Sequence, residues 1–423
     1  MTKKILGGLV GVMLLGIALP QTAEAIPAWA RRYNTDCQMC HTMLPRLNPM
    51  GHKFRRLGYR MPDEFDKQDA DIAWDELSKL GNYFAARGRG RVVYTARKGT
   101  ANTFSLSEGG KPDLTLFYAG PVSRNVAFFF EAPFEPAGEL EVGQILTHFG
   151  SSDRFFFTRV GKFHQFSRVG YGALDRPIGL SNPQVFDVMI NGFRPRLDAA
   201  GIEAGYSAGN FTGLLQFTNG IAATGGQVSD GVDPNKDKDI AALLEYLVPD
   251  HDASVSLLYV YGKAPTPQDS AGNAVVGASN TKYNRIYAFT DYTFEPLGLK
   301  PIVGGGVGFD NQFITNIGVG DITVVPAITS AALLTASNSR SWFSFLELDQ
   351  RLTDNLYADV RFDFYDPTNQ AEAASATRKS WMGSGGLVWS FQKFLRLTGE
   401  YQVSDNKAGT ASHKMTGEMM LNF

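Results

Sequence analysis

The sequence predicts an all-β transmembrane barrel of sixteen antiparallel strands, preceded by a small, partly helical N-terminal segment. Three observations predict it. The chain opens on an export leader, its long C-terminal region alternates apolar and polar side chains, and the connections there are alternately short and long.

The leader comes first. Lys3 and Lys4 form a basic start, Ile5 to Leu19 an apolar core, and Ala23-Glu24-Ala25 a small-x-small cleavage pattern. Residues 1–25 therefore read as a secretory signal peptide. The apolar run is shorter than the ~20 residues of a spanning helix, and no later stretch is long and apolar enough to be one. With 40 Lys and Arg against 42 Asp and Glu, the charge balance suggests no nucleic-acid partner.

Residues 82–423 carry the barrel pattern. Around Leu356 to Phe364, one face is Leu356, Ala358, Val360, Phe362 and Phe364, and the other is Tyr357, Asp359, Arg361 and Asp363. The last segment sets Met415, Gly417, Met419, Leu421 and Phe423 against Lys414, Thr416, Glu418 and Asn422, with Met420 the one apolar residue on the polar face. A soluble half-buried sheet shares such alternation. A polar face with charges of both signs suits the wet lumen of a barrel in lipid. Read back from the C-terminus, Phe391 to Lys393 is short, Asp366 to Arg378 long, Leu352 to Asn355 short, and Asp310 to Ser339 long. Short periplasmic turns facing long outer loops produce that rhythm. Naive picking finds seventeen strands, whereas a barrel with both ends in the periplasm needs an even number. Assigning Val185 to Ile190 to a loop leaves sixteen, and the loop from Phe163 to Pro195 then folds into the lumen or covers the mouth.

Residues 26–62 are of another kind, and residues 63–81 form an acidic linker. Cys37-Gln38-Met39-Cys40-His41 contains both cysteines of the chain. Two thiols three positions apart can add to the two vinyl groups of one porphyrin, and the adjacent imidazole can then reach the iron. Cys37 and Cys40 are thus candidate attachment points of one covalent haem c, with His41 its proximal ligand; a reversible disulfide is the competing reading. His52, eleven residues beyond His41, is a candidate sixth ligand, against Met43, Met50, Met61 or no protein ligand. A histidine there would hold the potential lower than a methionine. Trp29, Tyr33, Phe54 and Tyr59 could face the macrocycle or simply pack together, and Arg31, Arg32 and Arg46 could pair with its propionates. Gly51 and Gly58 permit close backbone approach. A segment this short cannot bury a core of its own and must lean on a larger body.

Weaker signals lie elsewhere. Asp230, Asp233, Asp237 and Asp239 sit in an outer loop, and the run from Asp233 faintly resembles a calcium loop, but Lys238 replaces the required glycine and position twelve is Leu244. Gly304-Gly305-Gly306 lacks a following helix and P-loop lysine, so it reads as a barrel feature. His148, His164, His251 and His413 share no ligand spacing.

The run from Ile26 to Arg31, the Cys37–Thr42 motif, Pro45-x-Leu47, Gly51-x-x-Phe54 and Gly58-Tyr59 resemble the outer-membrane cytochrome–porin fusions of iron-oxidising bacteria. Trp29 and Met50 depart from the phenylalanines of that pattern. The resemblance covers about thirty-five residues and is architectural beyond them. It implies an outer-membrane protein that takes electrons from extracellular Fe(II) and passes them through its haem to a periplasmic c-type cytochrome. The haem segment would lie inside the barrel or at its periplasmic side, with outer-membrane lipid around the wall. Two other readings stay open: a conduit for another donor or acceptor, and a solute porin with a haem plug.

Overall fold

The computed structural model describes residues 28–67, 81–97, 101–106, 113–134, 142–164, 177–187, 198–219, 238–264, 281–315, 335–366, 380–391, 394–406 and 411–422. The expected leader, most of the acidic linker, Asp230, Asp233, Asp237 and Phe423 lie outside them.

The N-terminal segment begins with α1 (Ala28–Tyr33), followed by a 3-10 turn (Cys37–Met39). A small hairpin comes next, β1 (His41–Met43) and β2 (Arg46–Leu47), then α2 (Pro49–Arg56) and α3 (Pro62–Asp66). Asn48 organises its centre. Its side chain caps α2 by accepting from the Gly51 N–H at 2.9 Å, and its amide donates to the carbonyls of Gln38 and Met39. Pro49 follows at the first helical position, where no backbone donor is needed. Gly51 is required: a Cβ there would sit 2.2 Å from the Cys40 carbonyl oxygen. Gly58 has φ +70°, and a Cβ would also press on Ala127 and His148 of the barrel. α3 crosses the boundary expected at residue 62. Its Phe65 is buried, Glu64 bonds Arg32 and Tyr33, and Asp66 accepts from Ser152, so these acidic residues serve packing rather than a solvated linker.

Sixteen antiparallel strands then close into a barrel, as the even-number argument expected. β3 (Phe84–Arg97) opens it. β4 (Thr103–Leu106) and β5 (Asp113–Ser123) pair with successive stretches of β3 and are two halves of the second strand. The wall continues through β6 (Val126–Pro133), β7 (Val142–Ser151), β8 (Arg154–His164), β9 (Asp198–Ala208) and β10 (Phe211–Thr218). β11 (Asp239–Leu247), β12 (Ala253–Ala264), β13 (Thr281–Tyr292), β14 (Leu299–Thr315) and β15 (Thr335–Arg351) follow. β16 (Leu356–Asp366), β17 (Ser380–Phe391), β18 (Leu395–Asn406) and β19 (Ser412–Asn422) complete it. β19 pairs with β3 from Ser412 against Arg97 to Asn422 against Arg87, so no edge remains. Gly304–Gly306 lie within β14.

Facing follows the alternation. On β16, Val360 and Phe362 are 61% and 53% exposed, whereas Asp359 and Asp363 are 2% and 0%. An outer surface of exposed Val, Leu and Phe, with Trp342 and Trp381 towards the long-loop rim and Tyr292 and Phe294 towards the short-turn rim, is a lipid-facing one. No helix of the described residues is long and apolar enough to cross a membrane; strands make the crossing.

The lumen differs from the expected wet channel. Inward-facing Phe155, Phe157, Tyr287, Phe289, Phe343 and Phe345 join Leu57 and Phe65 of the N-terminal segment and Val185 in one apolar cluster. The polar wall is interrupted where two other pieces of chain need a surface to pack on. One is the N-terminal segment. The other is residues 177–187, with α4 (Gln184–Asp187), which enter the lumen as one of the two expected alternatives. Leu180 and Ser181 donate backbone N–H groups to the Glu400 carboxylate at 2.7 and 3.0 Å, and Arg361 donates to the carbonyls of Ser181 and Asn182.

Candidate functional site

The N-terminal segment is anchored to the inner wall by buried ion pairs. Arg46 donates to Glu347 at 2.5 Å and to Asp349 at 2.6 Å; Arg56 pairs with Glu245 and donates to Thr212. Thr42 donates to Asp252, which also receives Lys300. Nearer the short-turn rim, Lys53 meets Asp153, and Arg60 donates to the Arg124 carbonyl at 2.6 Å. These bonds hold the segment against β10, β11, β15 and the turns after β5 and β7. Beside it lies a cavity of about 340 Å³, which β3, β5–β9 and β17–β19 help to wall. Its wall includes Ala85, Leu395 and Asn422, all close to the short-turn rim.

Cys37, Cys40 and His41 all line this cavity. The two cysteines are free thiols, each part-buried. Burial, with the nearby Cys37 sulfur adding to it, pushes the Cys40 thiol up to about 11, so it stays protonated at neutral pH. His41 Nδ1 lies 3.0 Å from the Pro45 carbonyl oxygen. That bond makes Nδ1 the donor nitrogen and leaves the lone pair on Nε2, the state in which an imidazole binds iron.

The four aromatics singled out in the sequence form one cluster. Trp29 stacks on Tyr59 at 5.6 Å, Tyr59 stacks on barrel Phe129 at 5.4 Å, and Phe54 meets Trp29, Tyr33 and Tyr59 edge-on. All five rings line the cavity, so packing and lining are one role.

Other candidates separate. His52 is buried on α2 and is not a lining residue, nor are Met43 and Met50. Met43 instead packs with Ile178, Tyr357 and Val388. Met61 lines the cavity, as does Met420 from β19. The three arginines expected at the propionates are engaged elsewhere: Arg46 with Glu347 and Asp349, Arg32 with Glu64, and Arg31 with the Gly81 carbonyl. The cavity's cations come from both bodies, Arg55 and Arg56 from the segment and Arg87, Arg159 and Arg396 from the barrel. Arg87 and Arg396 line it, and the buried Nε–H of each has no hydrogen-bond partner among the described residues. Sequence alone missed them because many inward strand positions carry charge. Their signal was a polar-face arginine near the start of β3 and of β18.

Of the remaining histidines, His148 is buried and donates from Nε2 to the Arg56 carbonyl at 2.8 Å, while His413 bonds Tyr401. Asp239 accepts from Tyr283. Among the described residues, no group of three or more His, Cys, Asp and Glu is placed to hold a metal ion.

The architecture is that of an outer-membrane porin. No family model matches the chain, and no curated protein matches it. Solved structures do. The outer membrane channel DcaP of Acinetobacter baumannii superposes with TM-score 0.53 at 11% identity, covering 80% of this chain and 96% of that one. The anion-selective porin of Comamonas acidovorans gives 0.51 at 12%, covering 80% and 98%. Salmonella typhi OmpF, solved with daunomycin, gives 0.51 at 10%, covering 80% and 97%. At such identities the likeness concerns the fold.

Proposed function

We propose that this barrel is an outer-membrane electron-transfer protein. Cys37 and Cys40 would hold one haem c covalently, with His41 as its proximal ligand, and the protein would pass electrons from extracellular Fe(II) to a periplasmic c-type cytochrome. The observation that carries this reading is the shared cavity. Two free thiols and an imidazole with its Nδ1–H already bonded line one chamber closed by a barrel wall. The chamber fits the group on independent grounds. Its aromatic side suits a porphyrin face, and Arg87 and Arg396, each also paired with a wall carboxylate, bring positive charge to its lining.

A haem bound there would supply the one-electron chemistry of its iron. The chain's own residues do the rest. Cys37 and Cys40 would tether it, His41 would present its Nε2 lone pair to the iron, and the Trp29–Tyr59–Phe129 stack walls the cavity on one side. Overall, one Fe(II) outside becomes Fe(III), one ferric cytochrome inside becomes ferrous, and no atom is transferred. The short-turn rim, taken as the periplasmic side, puts the cavity within reach of a periplasmic acceptor. Anaerobic titration of the purified protein with Fe(II), followed by absorbance, tests the reading. Haem reduction at the growth pH is expected; a haem that stays oxidised there removes Fe(II) as donor and leaves a conduit for another one.

The second reading, a solute porin with a haem plug, draws on the barrel's likeness to channels, one of them described as anion-selective. Against it stand two pieces of chain in the lumen, residues 28–67 and 177–187. Single-channel recording separates the two: an open porin conducts steadily, whereas a closed redox barrel conducts little.

A further inference from the structure

The last strand carries an anomaly that the barrel does not explain. Along β19 the inward positions run Lys414, Thr416, Glu418, Met420 and Asn422, and Met420 is the single apolar one. Outward Met415 and Met419 are 57% and 42% exposed, as a lipid face requires; Met420 is 6% exposed and lines the cavity. A thioether therefore stands on an inward face that is otherwise polar along this strand. Its cross-strand partners are Arg396 on β18 and Arg89 on β3, and Asn422, the next inward position, pairs with Arg87.

The inference rests on the haem reading above. A porphyrin tethered to Cys37 and Cys40, with His41 on one face, belongs by that face to the N-terminal segment. That segment is bonded to β10, β11 and β15, packs on β5 and β6 through Trp29 and Tyr59 and on β17 through Met43, and the cavity it lines is walled on another side by Arg87, Arg396 and Met420 of β3, β18 and β19. A sixth ligand for a haem held there would come from another lining side chain, one carried by the wall across the cavity. The lining side chains able to ligate iron, apart from those already used, are Tyr33, Tyr59, Met61, Met420 and the carboxylates of Asp36, Glu131 and Glu203; Glu131 and Glu203 are ion-paired with Arg87 and Arg159, and Asp36 adjoins Cys37 on the tethered segment itself. Tyr33 donates its hydroxyl to Glu64, and the Tyr59 ring is held between Trp29 and Phe129. Met61 packs into the aromatic cluster on the segment's own side, with Phe54, Tyr59 and Ala119. Met420 is the one such lining group on β3, β18 or β19.

We propose that Met420 is the sixth ligand of the haem iron. Methionine opposite histidine raises the potential of a haem relative to two histidines, which suits a donor as weakly reducing as Fe(II). It also makes the cofactor a bridge, held by thioethers to the segment and by a thioether ligand to the strand that closes the barrel.

The test uses the full-length holoprotein. A pyridine haemochrome first establishes covalent haem; its absence in the wild type overturns the haem reading and the present one with it. Given haem, the ferric wild type is expected to be low-spin with the red charge-transfer band of methionine ligation. Met420→Ala keeps the covalent haem, becomes high-spin, and shifts to lower potential. Met420→His restores a low-spin spectrum at a potential below wild type, a rescue that a packing role would not produce. Met61→Ala leaves band and potential in place. Haem content with an unchanged band in Met420→Ala, loss of the band in Met61→Ala, or a high-spin wild type overturns the assignment of Met420 while leaving the haem reading intact.

Discussion

Arg46 donates to Glu347, 301 positions away in sequence, through a 2.5 Å contact in which both side chains are almost completely buried. A second nitrogen reaches Asp349, so one guanidinium satisfies two carboxylates of β15. This contact binds the cysteine-bearing segment to the barrel wall.

Arg46→Ala removes the ion-pair partner of buried Asp349 and leaves Glu347 with Arg361 alone, and breaking one side of a buried pair costs about 3–5 kcal/mol. The barrel has its own closed ladder, so the loss falls on the docking of residues 28–67. Limited proteolysis should then cut within that segment, while the barrel keeps its heat-modifiable mobility on a gel. Unchanged protection would show that other contacts hold the segment.

Gly51→Val forces a side chain into the Cys40 carbonyl oxygen, since even a Cβ would sit 2.2 Å from it. Haem content per folded barrel should fall severalfold. Gly90→Ala on β3, where nothing lies within 4 Å of the added Cβ, should load normally.

Cys40→Ala removes one of the two thioethers of the proposed attachment. The haem c spectrum of the purified protein should be lost, and a variant retaining it would refute the attachment site.

The unloaded protein offers a pH signature. Burial pushes the Cys40 thiol from 9.0 up to about 11, so at pH 8 its thiolate fraction is about 100-fold below that of an unperturbed thiol. Alkylation of Cys40 by iodoacetamide should therefore be about 100-fold slow and rise about tenfold per pH unit up to pH 10. The sign for stability follows: a thiol whose pKa is raised by folding favours the folded state below its unfolded pKa. That contribution is lost as pH rises through the folded value, loosening the segment near pH 11. Fast alkylation at pH 8 would mean that the thiol is not desolvated.

Arg361→Ala releases residues 177–187 from the wall, because Arg361 bonds Ser181 through both carbonyl and hydroxyl and Asn182 through its carbonyl. Single-channel conductance should rise above a nearly closed wild type. Equal conductance would show that this loop does not limit the lumen.

Alternation and connection length determined the barrel in the sequence alone, because in lipid every strand must pair and every outward side chain must be apolar. The inward faces of Asp359, Arg361 and Asp363, the even strand count and the lumen-entering loop were all legible there. So was the grouping of Cys37, Cys40 and His41, which lie within five consecutive residues. Tertiary structure decided the partners. Arg46 could have faced any inward carboxylate, and only folding chose Glu347 and Asp349 and thereby took it from the cavity. The same choice made Arg87, Arg396 and Met420 the opposing wall. A strand's pattern says which way a side chain points, but what it meets across the lumen depends on register and closure, which emerge only when sixteen strands pair at once.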